Sequence, residues 1–246
     1  MTADARTFHY DEAGLWKRAV RALMPDVAGS RRTIGELATA LRPRLVEAYD
    51  GIRLYHGCSP ARLDSYWSDG IVAMTPNRLT CTCRSHLLTD EDPADVERKF
   101  EDILKVQTGL IYADKVAFHL YPEVFRKIAG YYLIYGGHSV FAVAVLLSRV
   151  TEIDFKHRLA GTGRPTVLTC DIPLARFSIG QLARLCEFLA AGVVAGDDGA
   201  GRLRVADFHL EVEGSVAPFC IVAHDHPVTV EDAIYSNHLP LNGGIV

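Results

Sequence analysis

The sequence predicts an α+β fold, and three observations lead there. Apolar residues recur at helical spacing across residues 10–49, the texture changes to short β-prone runs from Ile52 onward, and further helical segments lie between those runs. A chain of 246 residues, 49% hydrophobic and 23% charged, can bury a core without disulfides or metals. Its 10 Phe, 10 Tyr and 2 Trp supply large apolar anchors for such a core. Collagen-like, coiled-coil and disordered architectures are excluded.

Taken in order, Leu15, Val20 and Leu23 mark a first helix, and Ile34, Leu37, Leu41 and Leu45 a second, with Gly29-Ser30 as the break between them. Strands are predicted over residues 52–55, 115–120, 131–135, 166–172, 208–212 and 219–222. Helices are predicted between them over residues 60–68, 93–106, 139–147 and 179–191. Asp92 is expected to cap the second of these with Pro93 in its first turn, and Ser139 to cap the third. The polar run Asp197-Asp198-Gly199-Ala200-Gly201 reads as a surface turn between a helix and a strand.

Composition excludes several partners. Lys and Arg total 26 against 30 Asp and Glu, a formal charge of −4, so no global field draws the chain to nucleic acid or anionic lipid. The longest apolar stretch, residues 140–147, is too short to span a bilayer, and the first residues lack the build of a signal peptide, so a cytoplasmic location and no membrane partner are expected. The 6 cysteines are too sparse for the framework of a small secreted domain and read as reduced thiols. Cys81, Cys83 and His86 lack a second pair at zinc spacing, so no metal is expected.

Other motifs are equally uninformative. His224-Asp225-His226-Pro227 reads as an exposed turn, and Gly161-Thr162-Gly163-Arg164-Pro165 lacks the Lys-Ser/Thr of a phosphate loop and the spacing of a dinucleotide fingerprint. With no Gly-x-Ser-x-Gly elbow, a nucleotide kinase, a Rossmann dehydrogenase and an α/β-hydrolase are all disfavoured.

The informative segment runs from Ile52 to Ile71. An apolar strand ends in Tyr55-His56-Gly57-Cys58-Ser59, a short helix follows, and Gly70-Ile71 closes the unit. Gly57 has no Cβ to obstruct a ligand's approach to the backbone, and His56 can present a ring nitrogen as donor or acceptor. Two further segments stand out. Tyr131-Tyr132-Leu133-Ile134-Tyr135 runs through Gly136 and Gly137 into an apolar helix. Residues 208–213 alternate, with Phe208, Leu210 and Val212 on one face and His209, Glu211 and Glu213 on the other.

This order of parts resembles the diphtheria-toxin and poly(ADP-ribose) polymerase class of ADP-ribosyltransferases, in which a His-Gly strand, a tyrosine strand and a glutamate strand follow one another. The resemblance implies a split β-sheet over residues 51–246, with residues 1–50 as an N-terminal helical extension. It implies that His56 binds the adenosine-side ribose of NAD, that the Gly57 backbone holds the nicotinamide carboxamide, and that Tyr55 and Ser59 help to form the site. Tyr135, or else Tyr132, would stack the nicotinamide. Glu211, or else Glu213, would stabilise the oxocarbenium-like transition state, and His209 in that position would mean a variant without the acid. Cys58 departs from the family's usual Ser or Thr, with Ser59 one step further on.

By that resemblance NAD is a consumed substrate, and ADP-ribose passes to a protein or nucleic-acid acceptor. A toxin or phage-defence effector with a neutralising antitoxin partner suits such an enzyme. An RNA 2′-phosphotransferase using NAD and a non-catalytic NAD- or ADP-ribose-binding module share the His-Gly unit and stand as alternatives.

Overall fold

A computed structural model describes residues 6–10, 15–25, 32–110, 114–195, 208–232 and 237–240. The chain opens with strand β1 (Thr7–Phe8), helices α1 (Leu15–Leu23) and α2 (Ile34–Ala48), and strand β2 (Gly51–Cys58). Helices α3 (Asp64–Asp69), α4 (Pro76–Leu87) and α5 (Ala94–Leu110) lead to β3 (Lys115–His119). Four helices follow, α6 (Glu123–Lys127), α7 (Tyr131–Tyr135), α8 (His138–Thr151) and α9 (Phe155–Leu159). The chain continues through β4 (Thr166–Pro173), α10 (Ile179–Val194), β5 (His209–Glu213), β6 (Ile221–Asp225), β7 (Thr229–Asp232) and β8 (Asn237–Pro240). The mixed α+β character expected from the sequence is what the chain adopts.

Helix boundaries follow from local chemistry. In α2 the Glu36 N–H donates to Thr33 Oγ1 at 3.3 Å while the Thr33 N–H donates to the Glu36 carboxylate at 2.7 Å, a reciprocal cap that satisfies donors otherwise left open. Ser178 and Gln181 repeat the arrangement at α10. Helix α4 was not anticipated, although Thr75 accepts from the Arg78 N–H, Pro76 takes the first helical position, and Leu79, Cys83 and Leu87 form a buried stripe.

The main sheet has the order β5-β3-β2-β4-β6, with β1 parallel to the start of β2. Strands β2 and β4 pair antiparallel along their full length, from Gly51 opposite Pro173 to Cys58 opposite Thr166. The Arg53–Asp171 ion pair clips that ladder with two hydrogen bonds of 2.7 and 2.8 Å. On the other side, β2 meets β3 in register only at Tyr55 and His119, so the sheet parts beyond that point while β3 stays paired with β5 from Lys115 to His119.

Each sheet face carries its own core. One joins Ile52, Leu54, Phe118, Cys170, Leu210 and Val212 to α1, α2 and α10 through Val20, Leu41, Leu45, Leu185 and Leu189. The other packs Val167 against Phe100, Phe125, Leu133, Val143, Leu147 and Phe155 from the helices of the middle of the chain. The helices expected as an N-terminal extension thus share a core with the sheet.

Several local expectations are corrected. Residues 131–135 form helix α7 and not a strand. Leu133, Ile134 and Tyr135 are buried in succession, which the alternating faces of a strand do not allow, and the Ile134 N–H closes on the Gly130 carbonyl at 3.0 Å. Asp92 does not cap α5, because its carboxylate is taken by the Thr89 N–H and by a two-bond pair with Arg158, each bond 2.7 Å. Ser139 lies inside α8, which starts from Gly137 without a side-chain cap. The predicted helix over 60–68 narrows to α3, and the strand expected from 219 begins at Ile221 because Pro218–Cys220 forms a 3-10 turn. The Gly29-Ser30 break and the Asp197–Gly201 turn lie outside the described residues.

Candidate functional site

The parting of β2 from β3 opens into a cleft of about 1400 Å³. Its walls come from the end of β2 (His56, Gly57, Ser59), from β3 and β5 (Lys115, Ala117, His119, His209, Glu211), and from α7 (Tyr131, Tyr132). Among the described residues it is far roomier than the shallow groove of about 450 Å³ between α2 and α10.

His56 sits half-buried where the sheet divides, and its Nδ1 lies 3.0 Å from the Ala117 carbonyl oxygen on β3. A carbonyl can only accept, so Nδ1 carries the proton and Nε2 is left as an acceptor. Burial pushes the pKa of this ring down, with the Ala117 bond opposing in part, and the imidazole is neutral near pH 7. The side chain therefore takes up a β3 carbonyl at the place where the two backbones separate.

Glu211 faces the cleft from β5. Lys115 Nζ lies 3.1 Å from its Oε2 and His209 Nε2 lies 3.8 Å from its Oε1, which holds a carboxylate of fixed orientation. Its backbone carbonyl accepts from Gln181 Nε2 at 2.7 Å, tying the strand to the start of α10. His209 also lines the cleft, whereas Glu213 is exposed and does not.

Of the other residues expected at the site, Gly57 and Ser59 line the cleft. The Ser59 Oγ is buried without a hydrogen-bond partner. Gly57 owes its missing side chain to packing, because a Cβ there would stand 2.5 Å from the Phe125 ring. Cys58 turns its thiol toward the Thr166 carbonyl at 3.6 Å, and burial pushes its pKa up to about 12, so it serves the interior as a neutral thiol.

The tyrosines are redistributed. Tyr132 lines the cleft half-buried, its hydroxyl pKa raised by burial and by the Glu211 charge. Tyr135, the expected stacking ring, is 5% exposed and stacks on Phe141 at 4.6 Å in the second core; it does not reach the cleft. Tyr55 packs against the same core and likewise stays off the cleft wall. Both belong to faces that the helical packing of α7 and α8 covers.

Residues that sequence reasoning missed are Tyr131, which joins the wall beside Tyr132 at a ring separation of 4.5 Å, and the polar face of β3. Phe118 is buried in the first core while Lys115, Ala117 and the largely buried His119 line the cleft. That alternation is legible in the strand expected over 115–120, but its pairing with β5, which sets Ala117 opposite Glu211 and His119 opposite His209, is not.

No group of three metal-ligating side chains occurs among the described residues, and the six cysteines form no disulfide. His226 is structural, meeting Thr166 Oγ1 at 3.2 Å and the Pro165 carbonyl at 3.1 Å, while exposed His224 packs edge-on against Trp67. No described helix is long and apolar enough to cross a membrane. What the cleft offers is a neutral imidazole acceptor, an anchored carboxylate, an orphan hydroxyl and an aromatic wall, a set suited to a polar ligand carrying hydroxyls and a flat ring. Comparison with family models, curated proteins and solved structures returns no match for this chain.

Proposed function

We propose that this chain is an NAD-dependent ADP-ribosyltransferase, which breaks the bond between nicotinamide and ribose and passes ADP-ribose to a macromolecular acceptor. The observation that carries the reading is the meeting of His56 and Glu211, far apart in sequence, on one cleft where the sheet parts. That parting also supports a split-sheet ADP-ribosyltransferase-like fold. A volume of about 1400 Å³ exceeds the roughly 300–1,000 Å³ of pockets for drug-sized ligands and leaves room for a dinucleotide.

In this mechanism His56 Nε2 accepts a hydrogen bond from a hydroxyl of the adenosine ribose. The Gly57 backbone and Ser59 Oγ hold the carboxamide, and Tyr132 takes the stacking role first given to Tyr135. As the glycosidic bond breaks, its electron pair stays on the nicotinamide nitrogen, neutralising that ring, and positive charge develops on the ribose. Glu211 stabilises that charge through space. The acceptor's lone pair then forms the new bond to the ribose carbon, and its proton leaves to the carboxylate or to water. NAD is thereby a substrate and not a recycled cofactor.

A second reading, a module that binds NAD or ADP-ribose without cleaving it, draws on the engagement of Glu211 by Lys115 and His209. One experiment separates the two. The chain is incubated with cell lysate and NAD labelled in its adenylate phosphate. Label entering protein or nucleic acid, with release of free nicotinamide, is the expected outcome, and both His56→Ala and Glu211→Gln lower it by about 100-fold or more. Binding of NAD with no release of nicotinamide favours the module, and full labelling by His56→Ala refutes the site.

A further inference from the structure

We propose that His119 is a further ligand-binding residue of this cleft, its Nδ1 accepting a hydrogen bond from a donor on the nicotinamide-riboside half of the dinucleotide. The inference rests on the NAD reading above. Among the described residues, two buried side-chain polar atoms lack a partner, Ser59 Oγ and His119 Nδ1, and both residues line this one cleft. Buried polar groups are otherwise paired, so an orphan acceptor concentrated at a cleft marks a place where a ligand completes the bonding.

His119 is 8% exposed and its Nδ1 has no partner. The Phe208 backbone is the hydrogen-bonding group that acts on the ring, and with the proton assigned to Nε2 the unpartnered Nδ1 is an acceptor. Burial, with His209 and His56 nearby, holds the ring neutral down to about pH 4, so the acceptor persists under all ordinary conditions. The strand register sets His119 opposite His209 and Ala117 opposite Glu211, and alternation therefore puts His119 on the sheet face that carries Glu211. Edge-on contacts with Phe125 at 5.1 Å and Tyr132 at 6.3 Å fix the ring plane. Because Nδ1 itself is covered, a ligand reaches it with a shift of the side chains packed around the ring.

A neutral acceptor suits the two donors that this half of NAD carries, the carboxamide N–H and the ribose hydroxyl. The test measures binding of a carba analogue of NAD, of ADP-ribose and of nicotinamide by titration calorimetry, with near-ultraviolet circular dichroism as the check on folding. His119→Phe keeps the ring and removes the acceptor, and it is expected to weaken the carba analogue about tenfold. His119→Asn places Oδ1 where Nδ1 stood and is expected to recover binding to within about threefold. Neither variant carries an imidazole N–H, so their difference isolates Nδ1. A loss shared with nicotinamide assigns the donor to the carboxamide, and a loss shared with ADP-ribose assigns it to the ribose. The proposal is overturned if the Phe variant binds as tightly as the parent or the Asn variant as weakly as the Phe variant. If the parent binds none of the three probes, the NAD reading falls with it.

Discussion

Buried imidazoles make the stability of this molecule answer to acid. The pKa of His119 is lowered from its ordinary value of 6.5 to about 4 by burial and by the neighbouring His209 and His56, and His56 is lowered by burial too. Below pH 6.5 the unfolded chain takes up a proton that the folded ring refuses, so stability is full above that pH, falls as pH drops toward 4, and levels off below. For His119 the loss amounts to roughly 3 kcal/mol. Urea unfolding at pH 7 and pH 4.5 should show the drop, and His119→Phe should flatten it. Gly57 poses a packing question at the same scale. Gly57→Ala drives a methyl into the Phe125 ring and should cost about 1–3 kcal/mol. Much of that should return in the double variant with Phe125→Leu, a coupling that a double-mutant cycle on urea midpoints measures. If Gly57→Ala is neutral alone, the glycine answers to the ligand and not to Phe125.

At the scale of elements, the start of α10 does two things. Ser178 and Gln181 cap the helix, and Gln181 alone reaches across to the Glu211 carbonyl on β5. Ser178→Ala should lower stability by about 1 kcal/mol and leave nicotinamide release unchanged. Gln181→Ala should lower stability comparably and also slow release, since the strand bearing Glu211 loses a fixed partner. Equal rates in the two variants would show that this bond does not position the carboxylate. The parting of β2 from β3 is likewise an element-level event. Both strands were legible from their β-prone runs, but where the ladder ends depends on the His56 side chain meeting the Ala117 carbonyl, a contact between residues 61 positions apart.

At the scale of the whole molecule, the sheet stands between two helical cores, and neither can be removed without exposing it. Val20, Leu41 and Leu45 are wholly buried in the same cluster as Ile52, Leu54 and Leu185. A fragment beginning at Gly51 should therefore fail to unfold cooperatively and should bind hydrophobic dyes, whereas the full chain should melt in one transition. A fragment that melts sharply would show that the first two helices are dispensable.

The sequence by itself determined the α+β class, most of the strands, the capped helices α2 and α10, and the two-faced pattern of β5 with Glu211 on its polar side. Those features depend on period, propensity and turn chemistry within a few residues of one another. It also singled out His56, Gly57 and Ser59, because they adjoin at the end of one strand. Only the tertiary structure decided which tyrosine faces the cleft, since residues 131–135 are β-prone by type yet pack as a buried helical turn once α8 covers them. Only it put Lys115, His119 and Glu211 on one wall, because cross-strand register is a long-range property that no local pattern encodes.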